Sequence, residues 1–559
     1  MRLLIGLSVL AGACGGGGDY GAGPALTDAG YYADAGTVGC LSSNECPTGY
    51  VCSEFGRCER MMTPPPTDGG MPPPPPEIEY EFSAPISSDR YMYVAMTAQD
   101  ELARIDGQSL AVIATPVGKS PKMVSAIPNN DGAVVLDSIN GTAHIVRPNG
   151  AHDLVKIVPT LKNLNRLDVD PSGRYAVVWF DLTKQIQTGG IGGVGSFQDV
   201  TVIALAPGLE RAVDLTVGFR PRAVQFDAAG ARAFVITQDG VSVIDLGYAT
   251  THGPSIVPPI AVNNPAFPPE SVEVHVMSTG TYAAVRQLGE NALHVVDIGG
   301  LELGRSWTIP LISPATDIDL APNGGRLYAV EREAKKLAII DIPADARNPS
   351  GVETIDLTGA AIGSLVLSRD GNRGLLFTNA TADERITMVK LDLPGYPFVT
   401  WPLKKSVRAV GISPTGTTAI VINSKSAGDP STAANVDEFI DRSYGYSMLD
   451  LASGFAKLQV TPVDPGAFAY APNGTKAYVA LDGGNAPTAI RALQVVNTQT
   501  GVVITKQLGS PPSAVGILPG ADMAFTSQRH PLGRVTFVNL LTDAVRTVTG
   551  FDLNSNIVN

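Results

Sequence analysis

Four of the five cysteines have the regular spacing of a small disulfide-bonded module. Cys40, Cys46, Cys52 and Cys58 follow one another at intervals of six residues, and in an exported chain such an even set is typical of two disulfides. A structural zinc site is the alternative, but it favours cysteines about two to four residues apart with a histidine nearby. Residues 40–60 are too few to form a core unaided, so we expect disulfides to hold them together.

The fifth cysteine follows an apolar stretch at the N-terminus. Arg2 precedes the apolar residues 3–10, and small residues stand directly before Cys14. These are the parts of a secretory signal, and a cysteine in this place resembles a bacterial lipobox, which implies a diacylglycerol on the Cys14 thiol. An unlipidated signal peptide and a misassigned start codon stay open. The stretch is shorter than the ~20 residues that span a bilayer, so we expect a signal peptide over residues 1–13 and a lipid anchor as the sole membrane contact.

Two pairs of acids could bind a cation. Asp168 with Asp170, and Asp317 with Asp319, are each separated by one residue, which in a strand places both carboxylates on one face. Such a pair could hold Ca²⁺ or a sugar. The alternative is that these acids accept hydrogen bonds from neighbouring turns. We predict no other cofactor.

Signatures of catalysis are missing from the sequence. The six histidines stand singly, and the chain has neither a His-x-x-x-His pair nor a Gly-x-Ser-x-Gly nucleophile elbow. We therefore predict no catalytic residue. A net charge of −13 with a pI near 5.0 also makes nucleic acid an unsuitable partner, because phosphate binding needs clustered Lys and Arg.

The N-terminal elements have the composition of a stalk. Residues 14–39 are rich in Gly, Ala and Asp and predict a flexible tether. Residues 61–76 contain two runs of proline, which favour an extended polyproline II spacer. The cysteine-rich segment between them, with Cys-Pro-x-Gly-x-x-Cys at its centre, resembles modules near the N-termini of myxobacterial surface lipoproteins. Three disulfide pairings are possible, and we favour Cys40 with Cys52 and Cys46 with Cys58.

Residues 77–559 repeat one unit, in which an alternating strand, a glycine turn, a second strand and a strand ending in Val-Ile-Asp follow one another. The turn glycine is expected at positive φ, where a side chain clashes. The turn position recurs ten times, at intervals of 41 to 58 residues, in Asp89, Gly132, Gly173, Gly230, Gly280, Gly324, Gly371, Gly416, Gly474 and Gly520.

Short strands repeated at this spacing favour four-stranded blades in an all-β propeller. The Pro-Asn-Gly turn and the Val-Ile-Asp strand resemble YVTN-type β-propeller repeats, a group that includes lactonase-like and surface-layer-associated propellers. Arg147 and Lys390 depart from the pattern where Asp is expected. A single ring of about ten blades is favoured, and two five-bladed rings are the alternative.

Two units contain extra residues, near 182–198 and 427–443. Both insertions fall between the second and third strands, in units three and eight, as if five blades had been duplicated. Alternating strand direction places both on one face of a propeller. The second holds Asp429, Asp437, Glu438 and Asp441, which we interpret as a solvated acidic loop.

Two function classes follow from this organisation. The first is a lipid-anchored scaffold at the bacterial outer membrane or cell surface, facing outward or into the periplasm, whose propeller face binds a protein, glycan or cell-wall ligand. The second is an exported lactonase-like hydrolase that uses channel carboxylates and a divalent metal. The stalk favours the scaffold, because an enzyme acting on a diffusible substrate does not need to be held away from the membrane.

Overall fold

The computed structural model describes residues 50–52, 58–60, 76–78, 86–183, 197–262, 271–484 and 489–551. The predicted signal peptide and tether, and most of the cysteine-rich module and proline-rich linker, lie outside these residues, as do Cys14, Cys40 and Cys46. The chain divides into two compact units, Met1–Pro73 and Pro74–Asn559.

In the first unit the described residues form two short strands. β1 (Tyr50–Cys52) pairs antiparallel with β2 (Cys58–Arg60), and the register places Cys52 opposite Cys58. Only the backbone is described here, so the pairing of the four cysteines stays a prediction.

The second unit is a β-propeller of ten blades, each built from consecutive antiparallel strands. Within a blade, the first strand is the innermost and the fourth strand is the outermost. The first three blades contain β3 (Tyr91–Met96), β4 (Glu101–Asp106) and β5 (Val112–Pro116); β6 (Met123–Ala126), β7 (Ala133–Asp137), β8 (Thr142–Asn149) and β9 (His152–Pro159); and β10 (Arg166–Val169), β11 (Tyr175–Trp179), β12 (Asp199–Ala204) and β13 (Arg211–Thr216).

Blades 4 and 5 include the first helix. Blade 4 contains β14 (Pro221–Phe226), β15 (Arg232–Thr237) and β16 (Gly240–Asp245), followed by α1 (Leu246–His252) and β17 (Ser255–Ile256). Blade 5 contains β18 (Val272–Val276), β19 (Tyr282–Gln287), β20 (Ala292–Asp297) and β21 (Ser306–Pro310).

Blades 6 and 7 are regular. Blade 6 contains β22 (Asp317–Leu320), β23 (Arg326–Glu331), β24 (Lys336–Asp341) and β25 (Glu353–Asp356), with α2 (Ala344–Arg347) before its last strand. Blade 7 contains β26 (Ser364–Leu367), β27 (Arg373–Phe377), β28 (Arg385–Lys390) and β29 (Phe398–Pro402).

The last three blades complete the ring, and the third helix lies in blade 8. They contain β30 (Val407–Ile412), β31 (Thr418–Asn423), α3 (Val436–Arg442), β32 (Tyr444–Asp450) and β33 (Ala456–Thr461); β34 (Pro465–Tyr470), β35 (Lys476–Asp482), β36 (Arg491–Asn497) and β37 (Val503–Gln507); and β38 (Pro512–Leu518), β39 (Met523–Gln528), β40 (Arg534–Asn539) and β41 (Val545–Thr549).

Two blades depart from the four-stranded pattern. In blade 1 the inner strand is reduced to one bridge between Ser87 and Met92. In blade 4 the outer position is held by a bridge from Val241 to Ile260, while β17 pairs in parallel with β13 of blade 3. The segment after α1 therefore joins the outer edges of two blades.

The hydrophobic core lies between the blades, and one cluster of buried side chains fills each of the ten interfaces. Blade 10 packs on blade 1 through Phe525 and Phe537 against Met92 and Ile105. Blades 5 and 6 also share a cluster. These two contacts confirm the single ring and exclude two five-bladed rings.

The turn glycines confirm the expected backbone at seven of the ten positions. These seven have φ between 61° and 72°: Gly173, Gly230, Gly280, Gly324, Gly371, Gly416 and Gly474. In the turns of blades 2 and 10 the left-handed residues are instead Asn129 and Asp522, which tolerate this region better than most side chains. In these two turns, the short polar side chain thus takes the role predicted for Gly132 and Gly520.

The acid that ends the third strand caps the turn that follows. Asp297 accepts hydrogen bonds from the N–H groups of Gly299, Gly300 and Glu302. Arg147, which departs from this pattern, forms an ion pair with Glu210 of blade 3 at 2.6 Å instead. The departure therefore replaces a turn cap with a contact between blades.

Alternating strand direction gives the ring two faces. The loop face contains the second-to-third-strand loops and the connections between blades, and the turn face contains the remaining turns. No helix among the described residues is both long and apolar enough to cross a membrane.

Candidate binding site on the loop face

The second insertion and the described ends of the first lie on the loop face, as predicted. The first connects β11 to β12 and the second connects β31 to β32. Residues 184–196 of the first lie outside the described part of the chain. The second contains α3, whose N-terminus is capped by the Asn435 side chain accepting from the N–H of Glu438.

The acids of the second insertion satisfy local hydrogen bonds and ion pairs. Asp429 accepts from the N–H and hydroxyl of Ser431 at 2.8 Å, and Glu438 pairs with Arg442 one helical turn later. These contacts support the interpretation of a solvated acidic loop.

A buried lysine attaches this insertion to the ring. Lys405 is 1% exposed, and its Nζ donates to the carbonyl oxygens of Ile440 at 2.6 Å and Asp441 at 3.0 Å. Burial lowers the pKa of Lys405, while the charges of Asp441 and Glu384 oppose that change. A cation at a helix C-terminus also interacts favourably with the helix dipole. Nothing in the local sequence signals this role.

A cavity of about 530 Å³ opens on the loop face between blades 3, 4 and 5. Its wall combines apolar side chains with a polar rim that includes Arg220, Arg222, Gln225, Gln238 and Glu273. The first insertion begins at its edge, with Leu182 and Thr183. An apolar wall with a few convergent polar groups is typical of a ligand site.

The acids of this cavity already have cationic or hydroxyl partners. Asp181 accepts from the N–H and hydroxyl of Thr183, and Arg166 lies 3.6 Å from it. Glu273 accepts from Arg286 at 2.6 Å. Because Arg220 and Arg222 are exposed, the rim presents positive charge in a chain whose net charge is −13.

His275 belongs to a polar cluster that sequence reasoning missed. Its Nε2 lies 2.5 Å from Glu273 Oε1. Burial disfavours the charged imidazolium, but the hydrogen bond and charge of Glu273, with the charges of Asp319 and Asp317, raise the pKa of His275 overall. Glu273 lies two residues from His275 on β18, a spacing that could have signalled this pair, whereas Asp317 and Asp319 come from the inner strand of the next blade.

The predicted cation ligands on blade 3 have separate structural partners. Asp168 accepts from the indole N–H of Trp179 at 2.6 Å, and burial raises its pKa. Asp170 is fully buried and accepts from the N–H of Ser172 at 2.8 Å and of Tyr175 at 2.6 Å. Asp170 therefore accepts hydrogen bonds from its neighbouring turn, which was the alternative to cation binding.

The second predicted pair lies on blade 6. Asp317 accepts from the N–H of Leu365 at 2.7 Å and so ties the inner strands of blades 6 and 7. Asp319 lies beside it on β22 and acts electrostatically on His275. Within the described ranges, no three His, Cys, Asp or Glu side chains form a group that could hold a metal ion. Ca²⁺ binding by the four acids stays a prediction.

Comparison with known proteins leaves the family open. No family profile and no curated protein matches the chain. Among solved structures, it is similar to a eukaryotic initiation factor at 11% identity, covering 83% of this chain and 96% of that chain with a TM-score of 0.45. The dihydro-heme d1 dehydrogenase NirN gives 12% identity, 75% and 72% coverage and a TM-score of 0.37.

A third similar structure is the β-propeller domain of Cps50 (Swd1) from Myceliophteria thermophila. The identity is 14%, the coverage is 55% of this chain and 92% of that domain, and the TM-score is 0.29. These similarities are too distant to bear on activity, ligand or partner.

Proposed function

We propose that this protein is an exported, lipid-anchored β-propeller that acts as a binding scaffold at a bacterial cell surface. The observation that carries the binding role is the loop-face cavity between blades 3, 4 and 5, with its apolar wall and its exposed Arg220 and Arg222. Propellers bind ligands on such faces through loops held by a rigid scaffold. A protein, glycan or cell-wall ligand with negative charge suits this rim.

A cross-linking pull-down from intact cells tests the binding role. We expect Arg222→Glu to lose the captured partner, because it reverses a charge at the cavity rim. Arg369→Glu is the matched control, since Arg369 is exposed on the turn face of blade 7, and it should keep the partner. Equal capture by both variants would exclude the cavity as the binding site.

The N-terminal sequence supports export and the anchor. We expect wild-type cells to incorporate labelled fatty acid into the protein and Cys14→Ser to abolish that label. Label that survives in Cys14→Ser would contradict lipidation at this cysteine.

The lactonase-like hydrolase is the second candidate, and the observation in its favour is the set of carboxylates near His275 on the inner strands of blades 5 and 6. A metal-dependent enzyme should gain melting temperature from Ca²⁺ or Mn²⁺ and lose that gain with a chelator. The gain should vanish in Asp317→Asn. A melting temperature that ignores both metals would count against this candidate.

A further inference from the structure

Near the start of the second unit, the Glu77 side chain is bound on the loop face by Arg332 and residues 378–380, which we call the carboxylate socket. The Glu77 side chain is 5% exposed and pairs with Arg332 at 2.6 Å. Its oxygens also accept from the Thr378 hydroxyl at 2.7 Å and from the N–H groups of Asn379 at 2.8 Å and Ala380 at 3.1 Å. Four donors from blades 6 and 7 thus surround one carboxylate.

The next residue is recognised through its backbone. The N–H of Ile78 donates to Asn379 Oδ1 at 2.9 Å, and Asn379 Nδ2 donates to the Ile78 carbonyl at 2.7 Å. The Ile78 side chain remains 57% exposed. This segment is therefore held by the Glu77 carboxylate and by the backbone N–H and carbonyl of Ile78, and burial of apolar surface contributes little.

The floor of the socket is shaped for the carboxylate. A Cβ on Gly363 would lie 2.1 Å from Glu77 Oε1, so any larger residue there would exclude the glutamate. A cavity of about 400 Å³ lies on the same face and includes Arg332, Thr378, Lys335 and Arg385 in its wall. Charged groups of both signs therefore extend beyond the atoms that Glu77 contacts, because Glu333 and Asp383 also line this cavity and Asp383 pairs with Arg385.

We propose that this socket is a recognition site for a glutamate in an extended, proline-preceded peptide, and that residues 76–78 of this chain are its resident ligand. All six hydrogen bonds described above involve Glu77 or Ile78. A short peptide with these two residues therefore contains every group that the socket binds. Charge-assisted hydrogen bonds of this kind are stronger than neutral ones. While Glu77 is bound, the socket is closed to other carboxylates.

Peptide binding to the full-length Glu77→Ala chain tests the proposal. The probe is a fluorescein-labelled peptide of residues 74–80, Pro-Pro-Pro-Glu-Ile-Glu-Tyr, followed by anisotropy. We expect saturable binding to Glu77→Ala and binding at least about tenfold weaker to wild type, whose socket is filled. The same peptide with Gln in place of the first Glu, and the double variant Glu77→Ala/Arg332→Met, should each bind about tenfold more weakly.

Two results would overturn the proposal: no saturable binding to Glu77→Ala at millimolar peptide, or equal affinity for the Gln peptide. If Glu77→Ala fails to fold, the isosteric Glu77→Gln chain takes its place, with the peptide-induced rise in melting temperature as a second readout. Arg222→Glu should leave peptide binding unchanged, which separates this site from the cavity of the proposed scaffold function.

Discussion

At the residue scale, the turn glycines have two roles, of which the sequence revealed one. Gly173 has φ 72°, and a Cβ there would also lie 2.2 Å from the Pro128 carbonyl oxygen of the preceding blade. Gly416 has a similar φ of 66°, but its nearest neighbour, an Arg373 nitrogen, would be 3.5 Å away. The first glycine is therefore required by the neighbouring blade as well as by its own turn.

These two glycines form a matched pair for mutation. Gly416→Ala should cost about 1–2 kcal/mol of folding stability through the left-handed backbone alone. Gly173→Ala should cost about 1–3 kcal/mol more, because the new methyl group meets a carbonyl that cannot rotate away. Thermal unfolding measures both losses of stability. Equal losses would show that the turns of blades 2 and 3 move apart at Gly173 without an energetic cost.

His275 gives a prediction for pH dependence. Its pKa is raised in the folded chain, so its stabilising effect is complete below its ordinary pKa of about 6.5 and is lost as the pH rises through the folded value. His275→Gln should therefore lower the melting temperature more at about pH 6 than at about pH 9. The difference should be small, because this partly exposed pair contributes about 1 kcal/mol at most. Glu273→Gln should remove the pH dependence, and its persistence there would assign it to another group.

Local chemistry explains which residues could be predicted. The turn contacts of Asp170 depend on neighbours within five residues, so the sequence contained the signal. Glu273, His275 and Arg286 all lie in blade 5, and Arg286 donates to the carbonyl of Ala315, in the connection to blade 6, at 3.0 Å. The spacing of Glu273 and His275 predicts one shared strand face, but no spacing within that strand predicts the contacts of Arg286, which lies on the next strand.

At the element scale, the buried Lys405 attaches the insertion of blade 8 to the ring. Lys405→Met keeps the length of the side chain but removes two hydrogen bonds to the end of α3, at a cost of about 1–3 kcal/mol each. We expect faster hydrogen exchange in residues 424–443 with little change elsewhere. Lys404→Met is the control, because Lys404 is the neighbouring lysine in sequence and its side chain is exposed. Equal effects from both lysines would exclude a special role for Lys405.

Strands and insertions were easier to predict than the elements of blade 4. Ten alternating strand patterns and their turns recur in the sequence, whereas α1 has seven residues and only one local signal, the Asp245 cap that accepts from the N–H of Tyr248 at 2.8 Å. Its burial through Leu246 and Ala249 depends on the interface between blades 3 and 4. The parallel pairing of β17 with β13 is likewise a tertiary contact that no local pattern encodes.

At the scale of the whole molecule, the described blades 1 and 10 close the ring without sharing a strand. Within the described residues, blades 1 and 10 are each built from one continuous stretch of chain, without exchange of a strand between the two ends. Their interface depends on buried aromatic side chains and a few contacts such as the Gly520 N–H to the Asp89 carbonyl at 2.9 Å. The junction between blades 10 and 1 is therefore the seam of the ring.

Matched phenylalanines test the seam. Phe525 at the seam and Phe234 between blades 4 and 5 are both fully buried, and each substitution by Ala should cost about 3–5 kcal/mol. Only Phe525→Ala should increase the radius of gyration in X-ray scattering at temperatures where circular dichroism still shows the strands. Expansion in both variants, or in neither, would show that the seam opens no more readily than other interfaces.

The number of blades followed from the sequence, but the closure of the ring did not. Each repeat carries its own turn chemistry, so ten turns could be counted without knowledge of the tertiary structure. Because the repeats are similar, each blade can pack on any other blade as its neighbour. The repeat pattern is therefore compatible with one ring of ten blades and with two rings of five. The contacts of Phe525 and Phe537 with blade 1, and the core cluster that blades 5 and 6 share, distinguish them.

The attachment of Glu77 to blades 6 and 7 also determines how the molecule would carry mechanical load. In a ring of ten blades, this attachment lies about half a circumference from the seam. Tension applied through the residues before Glu77 is taken up first by Arg332 and the loop of Thr378 to Ala380, in a part of the ring whose blades are continuous on both sides. A propeller pulled through these residues would thus load blades 6 and 7 before the junction between blades 10 and 1.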